Sequence, residues 1–296
     1  TPSNSSAASD VYKRQLYHLQ ICLHNAAVDL VEVIPYPVGF RRLEIKDKVI
    51  MLNGQRLILN GVNRHEWDAH RGRAVTMADM HHDLEIFADN HVNAVRTCHY
   101  PDQPVWYDLC DQHGIYMMAE NNLETHGTWQ KMGAVEPSYN VPGDLPQWQL
   151  AVLDRAKSNY EMFKNHPAIL FWSLGNESYA GEDIVAMDAY YHHVDPTRLT
   201  HYEGVFQNRA YADRISDVES RMYNPPREIE KYLQDSPAKP FLDCEYMHDM
   251  GNSLGGMASY TDLIDRYPMY QGGFIWDFID QALWVKDEVT GRPVLR

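Results

Sequence analysis

Ala168-Ile169-Leu170-Phe171-Trp172-Ser173-Leu174-Gly175-Asn176-Glu177-Ser178 is the stretch on which the reading of this chain turns. An unbroken apolar run, with no alternation, suits a strand buried on both faces, as in a parallel sheet covered by helices. The run closes on small and polar residues, so it delivers Asn176 and Glu177 at the strand's C-terminal tip. The same grammar repeats along the chain. Leu57–Asn63, Val92–Val95, Ile115–Ala119, Leu199–Tyr202, Val218–Tyr223, Pro240–Cys244 and Gly272–Phe278 are further short strand candidates.

Helix-like runs lie between them. Thr76 is a cap-type start for a helix reaching Ala88. Pro104–His113 is closed by Gly114, and Asp144–Asn165 is long and amphipathic, with Leu150, Leu153, Tyr160 and Phe163 on one side. Glu182–Val194 stops at Asp195-Pro196. Arg227–Leu233 and Leu254–Tyr267 follow. Strands alternating with helices in this way predict an α/β fold, a (β/α)8 TIM barrel. An open doubly wound sheet would usually carry a Gly-rich phosphate turn after its first strand, and none is present. The sequence reaches Arg296 before an eighth helix, so the barrel is expected to be incomplete at its C-terminal end.

Three regions are expected. Thr1–Gln15 is small and polar, without periodicity, and reads as a disordered or non-native leader. Leu16–Arg41 shows two alternating runs around Asn25-Ala26-Ala27, a hairpin that reads as the remnant of an immunoglobulin-like β-sandwich. Tyr36-Pro37-Val38-Gly39 carries a linker signal. Arg42–Arg296 is the barrel.

Acidic residues number 41 against 26 Lys plus Arg, a formal charge of −15. Such a chain repels phosphate backbones, which argues against nucleic acid as a partner. No window approaches the ~18 apolar residues of a membrane span, and no signal peptide opens the chain, so a cytoplasmic location is expected. Cys22, Cys98, Cys110 and Cys244 fit no zinc spacing and read as reduced thiols.

The active site of such a barrel lies at the C-terminal strand ends. Those ends supply His65, Arg96, His99, Glu124, His126, Asn176, Glu177, Tyr223, Glu245, His248 and Trp276. Glu177 and Glu245 come from the fourth and seventh strands, which face each other across the mouth. Two carboxyls on a common cleft are what glycoside hydrolysis requires, one to protonate the leaving oxygen and one to attack the anomeric carbon or activate water. The bland alternative makes one of them a rim charge. Glu124 and His126, one residue apart, point the same way in an extended chain. With Glu177 they form a candidate set for a hard, oxygen-preferring ion such as Mg²⁺. An adjacent guanidinium favours an ionised carboxylate, the role expected of Arg96, and Tyr223 could donate to the same group. Trp276 is either core or a sugar-stacking plane.

Six segments in order carry a resemblance: Gly61-Val62-Asn63-Arg64-His65-Glu66, Arg96-Thr97-Cys98-His99-Tyr100-Pro101, Glu124-Thr125-His126-Gly127, Ser173-Leu174-Gly175-Asn176-Glu177-Ser178, Cys244-Glu245-Tyr246-Met247-His248-Asp249-Met250-Gly251-Asn252-Ser253, and Gln271-Gly272-Gly273-Phe274-Ile275-Trp276-Asp277. From about Leu16 onward the chain resembles the catalytic domain of the large bacterial β-galactosidases of glycoside hydrolase family two. The resemblance implies a retaining exo-β-galactosidase acting on terminal β-D-galactosyl residues of lactose-type substrates. It makes Glu177 the general acid/base and Glu245 the nucleophile, with Tyr223 assisting. His65 and His99 would stabilise the transition state. Asn176 would bond the sugar 2-hydroxyl, and His248 and Trp276 would contact the sugar. Glu124, His126 and Glu177 match magnesium ligands. The family's monovalent cation, such as Na⁺, has its ligands largely outside this stretch, so none is assigned. A homo-oligomer is expected of the full-length enzyme, and weak or no activity of this stretch alone. The Arg-x-x-His-Tyr-Pro segment is shared with β-glucuronidases and β-mannosidases, but the Ser-Leu-Gly-Asn-Glu segment favours galactosidase. A dead carbohydrate-binding barrel would have lost Glu177 or Glu245. A metal-dependent hydrolase would use the ion to activate water.

Overall fold

The structure, a computed structural model, describes residues 16–129, 140–248, 250–251, 253 and 255–296. The leader Thr1–Gln15, Asp249, Asn252 and Leu254 lie outside the described residues. The chain enters through two small antiparallel sheets. β1 (Tyr17–His24) and β2 (Leu30–Val38) pair as the expected hairpin. The linker expected at Tyr36–Gly39 is instead mostly strand. Pro35 and Pro37 are two apart, so their nitrogens, which lack a proton, fall on the same side of β2. A proline is tolerated there when that side is the open edge.

β3 (Leu43–Lys46), β4 (Val49–Leu52) and β5 (Gln55–Arg56) make the second sheet. Its turns place Asp47 and Lys48, then Asn53 and Gly54, at positive φ. Two-residue hairpin loops need that twist, and Asn-Gly adopts it readily. The sheet stops the N-terminal end of the barrel. Ile50, Leu52 and Leu57 are buried against Leu59, Ala94, Met118, Leu170 and Phe171, which come from four consecutive barrel strands. The buried Gln271 side chain accepts from the Ile50 N–H at 3.1 Å, which ties the plug to the last strand.

The barrel follows in the expected alternation: β6 (Leu59–Arg64), α1 (Met77–Asp89), β7 (Ala94–Thr97), α2 (Pro104–His113), β8 (Tyr116–Glu120), α3 (Pro146–Phe163), β9 (Ile169–Ser173), α4 (Glu182–Val194), β10 (Leu199–His201), β11 (Glu219–Met222), α5 (Pro226–Gln234), β12 (Phe241–Tyr246), α6 (Met257–Arg266) and β13 (Tyr270–Phe278). Thr76 and Asp79 close a capping box at the start of α1, as the sequence predicts. On α3 the buried residues are Val152, Ala156, Asn159 and Phe163. Leu150, expected on that face, is 80% exposed because it lies on the opposite side of the helix.

The eight strands are parallel, in the order β10-β9-β8-β7-β6-β13-β12-β11. Between β10 and β11 no backbone ladder forms. Side chains close that seam: Asp217 Oδ2 accepts from Thr200 N at 2.8 Å, Ser216 Oγ from Tyr202 N at 3.1 Å, and His201 Nε2 lies 2.8 Å from Ser220 Oγ. The β10–β11 connection holds only single 3-10 turns, Gly204–Phe206 and Arg209–Tyr211. After β13 comes the hairpin of β14 (Trp284–Lys286) and β15 (Pro293–Leu295). It docks on the loop after β6, where Trp67 Nε1 donates to Ala282 O at 2.9 Å. No α-helix follows β13 among the described residues. Among them no helix is long and apolar enough to cross a membrane.

The plug is a packing element, so truncating its centre should be felt by the whole barrel. Ile50→Ala is expected to cost about 2–5 kcal/mol, read as a lower urea midpoint with an unchanged far-UV spectrum before the transition.

Candidate active site

Alternation along β7 turns Arg96 into the barrel, where it is fully buried. Its guanidinium binds four partners. Nε donates to Glu120 Oε2 at 2.6 Å, Nη1 to Asn63 Oδ1 at 3.0 Å and Glu245 Oε1 at 2.8 Å, and Nη2 to Asn176 Oδ1 at 2.8 Å. Burial alone would lower the Arg96 pKa, but the carboxylates of Glu120 and Glu245 reverse that and hold it above its usual range. Asn63 in turn donates to the carbonyls of Cys244 at 2.8 Å and Phe274 at 3.2 Å.

Glu120, at the end of β8, is the counter-ion. Burial pushes its carboxyl up, yet Arg96 and hydrogen bonds from His99 and Ser173 outweigh that and keep it below the usual range. Ser173 Oγ donates to Glu120 Oε2 at 2.7 Å and lies 2.9 Å from His201 Nδ1. A hydroxyl whose proton goes to Glu120 must accept at that second contact. His201 therefore carries its proton on Nδ1, and its Nε2 accepts from Ser220. A girdle of polar side chains so runs under the mouth, from Asn63 to Ser220.

Above it stand the two predicted acids. Glu245, on β12, is buried, with Oε1 on Arg96 and Oε2 accepting from Tyr223 Oη at 2.6 Å. The structure thus places Arg96 and Tyr223 where the sequence reading has them. His99 reaches the same carboxylate, with Nε2 3.7 Å from Oε1, while its Nδ1 is held by Glu120 at 2.7 Å. Glu177 follows β9 with φ 40°, in the left-handed region. Its Oε2 is 2.7 Å from His126 Nδ1. Burial raises the Glu177 pKa, Glu245 and Glu124 add to the rise, and His126 and His99 oppose it. The two acids therefore sit in different environments: one paired with a guanidinium, the other inclined to keep its proton.

Ligand atoms of Glu124, His126 and Glu177 lie within 4.8 Å of one another, which brings the predicted metal set together. Two carboxylates and one imidazole fit a hard divalent ion. Asn176 donates to Glu124 Oε1 at 3.2 Å, so both ends of its amide are engaged. Trp276 lies at the mouth, only partly buried, with His99 stacked on it at 5.2 Å and 8°. His65 meets both rings edge-on, at 6.0 and 5.5 Å. Burial, then His99, Arg73 and Arg96, lowers His65 to about 4. His248 stands 5.5 Å from the Tyr223 ring, and its Nδ1 is buried without a partner. All eleven predicted residues thus reach one mouth. The reading of strand ends left out Glu120 and Glu203, although each directly follows a predicted strand, and Asn63, Ser173 and His201, which occupy the last two positions of β6, β9 and β10.

An eight-stranded parallel barrel whose mouth gathers buried acids, imidazoles and an indole defines the class. Residues 43–296 match the family model "Glycosyl hydrolases family 2, TIM barrel domain", and the chain belongs to that family. It is 67% identical over 282 residues to a "Beta-galactosidase large subunit" of Leuconostoc lactis, covering 95% of this chain and 45% of that protein. It is 56% identical over 281 residues to a "Beta-galactosidase" of Halalkalibacterium halodurans, covering 95% and 27%. The chain thus spans less than half of either relative's length. A solved β-glucuronidase from Ruminococcus gnavus aligns with TM-score 0.72 at 19% identity, over 93% of this chain and 52% of that one, a likeness of fold.

His201 makes the girdle sensitive to acid. Burial, then Arg96, lowers it to about 3. The unfolded chain protonates it below ~6.5, so its stabilising share is complete above that pH and is lost as pH falls from there toward 3. Urea unfolding should show stability falling by up to about 1.4 kcal/mol per pH unit from this residue. His201→Gln should flatten the slope.

Proposed function

We propose that this barrel hydrolyses terminal β-D-galactosides with retention, through a covalent galactosyl-enzyme. The observation that carries the reading is the division of labour between two carboxyls at one mouth. Glu245 is paired with Arg96 and aligned by Tyr223, which suits a nucleophile. Glu177 is raised by burial and by neighbouring acids, which suits a proton donor. The names of these two relatives support a galactoside as substrate.

In the first step a Glu245 oxygen bonds to the anomeric carbon as the bond to the leaving oxygen breaks, and the Glu177 proton passes to that oxygen. In the second, Glu177 as carboxylate takes a proton from water. The water oxygen bonds to the anomeric carbon, and Glu245 leaves. Asn176, held from both sides, is set to bond the 2-hydroxyl, a contact that strengthens as positive charge develops on the ring. Trp276 offers an apolar plane to the sugar, beside His65, His99 and His248. A Mg²⁺ ion held by Glu124, His126 and Glu177 would supply positive charge that tunes the acidity of Glu177. The preceding hairpin reads as the edge of a β-sandwich. The designation of the Leuconostoc lactis relative as a large subunit supports assembly with a further chain beside the expected homo-oligomer.

In full-length protein carrying this segment, Glu245→Gly should lose on the order of 10⁴-fold or more in kcat; near-wild-type turnover would sink the nucleophile assignment. Glu177→Gln should lose ~10²–10⁴-fold on alkyl galactosides. NMR of the first product should show β-galactose, and an α-anomer would rule out retention. Chelation should lower kcat without abolishing it, whereas complete loss would favour a metal-activated water.

A further inference from the structure

Glu203, the residue after the short strand β10 and its neighbour Tyr202, has no part in the chemistry above. Its carboxyl is nonetheless buried directly beneath the proton donor. The Glu177 N–H donates to Glu203 Oε1 at 2.6 Å. The next peptide is held by the next side chain back: Ser178 N donates to Tyr202 Oη at 3.1 Å, and that hydroxyl donates to Ser178 O. The Glu177–Ser178 turn is therefore strapped to the segment that follows β10, at consecutive positions. The strap matters because Glu177 has φ 40°. A residue with a Cβ rarely holds that conformation unless its surroundings over-determine it.

Two further observations separate a dedicated device from ordinary packing. Glu203 Oε2 is buried without a hydrogen-bond partner. An orphaned oxygen is costly, and an apolar side chain of the same size would fill the space without it. The backbone is also shaped for this placement. A Cβ on Gly204 would lie 2.6 Å from the Tyr202 ring, so the residue after Glu203 leaves that ring its space.

We propose that Glu203 is the positioning residue of the proton donor: through the Glu177 amide it fixes the turn that aims the Glu177 carboxyl at the leaving oxygen. The proposal rests on the reaction proposed above. It predicts a selective defect. A leaving group that needs protonation depends on the aim of Glu177, while one that departs as a stable anion does not. A role in folding alone would affect both alike.

The test uses Glu203→Met, which fills the volume and removes the acceptor, and Glu203→Gln, which keeps an acceptor. Both are made in full-length protein and assayed on methyl β-galactoside and 2,4-dinitrophenyl β-galactoside. In Glu203→Met, kcat/KM on the methyl glycoside should fall at least tenfold more than on the dinitrophenyl glycoside, and Glu203→Gln should restore the ratio. Parallel losses on both substrates, no loss on either, or failure of both variants to fold would overturn the proposal. The amide tie is also read without turnover, in ¹⁵N-glutamate-labelled protein with the Glu177 signal assigned by Glu177→Gln. Its proton should lie far downfield and exchange slowly, and both features should vanish in Glu203→Met. An unmoved signal would overturn the tie, whatever the enzyme cleaves. A wild-type protein inactive on both galactosides that still shows the tie would refute the proposed reaction and leave the positioning contact standing.

Discussion

One buried guanidinium holds this mouth together. Arg96 reaches Glu120 on β8, Asn63 on β6, Glu245 on β12 and Asn176 beyond β9. Taking such a cation out of water is costly, and attraction offsets the cost only where every donor finds a partner in good geometry. Here the planar fork places four of its five N–H donors on partners from strands that are far apart in sequence. A lysine, with a compact charge on a flexible stem, could not reach all four at fixed angles. The same contacts that neutralise Arg96 therefore also set the orientation of Glu245 and Asn176. Stability and site geometry share one set of hydrogen bonds.

Around that cation the mouth is over-supplied with acids. Glu120, Glu124, Glu177, Glu203 and Glu245 gather within reach of one another, and Arg96 offsets part of their charge. Two of them respond by holding protons more tightly: Glu177 is raised, and burial pushes Glu203 up to about 8, with Arg96 opposing and Glu120 adding to it. Excess negative charge of this kind supplies a carboxyl that stays protonated near neutral pH, or gathers a cation, and a proton-donating site draws on both.

Much of this was legible in the chain. Continuous apolar runs ending in polar residues marked the parallel strands, because such strands are buried on both faces and release their ends at one rim. The same rule brought Glu177, Glu245 and the candidate metal-ligand set to one rim. It failed where the information was not local. Ser173 and His201 end the adjacent strands β9 and β10, and nothing in their sequence neighbours says that the two strands pair in the register that joins a hydroxyl to an imidazole. Leu150 was misplaced because apolar spacing alone does not say which side of a helix the core will take. The plug sheet did carry a signal, Asn53-Gly54 between alternating residues, but its burial against the barrel floor is a tertiary fact. The linker expected at Tyr36–Gly39 failed for a related reason: proline forbids a central strand but not an open edge.

The seam between β10 and β11 gives the barrel an uneven genetic texture. Its other joints are parallel backbone ladders. This one is written in Thr200, His201, Ser216, Asp217 and Ser220. Each hydroxyl lost here removes part of the closure beside Tyr202 and Glu203 and leaves fewer backbone bonds to compensate than at a laddered joint. The circumference thus depends on side-chain chemistry, more than on backbone pairing, next to the turn that carries Glu177.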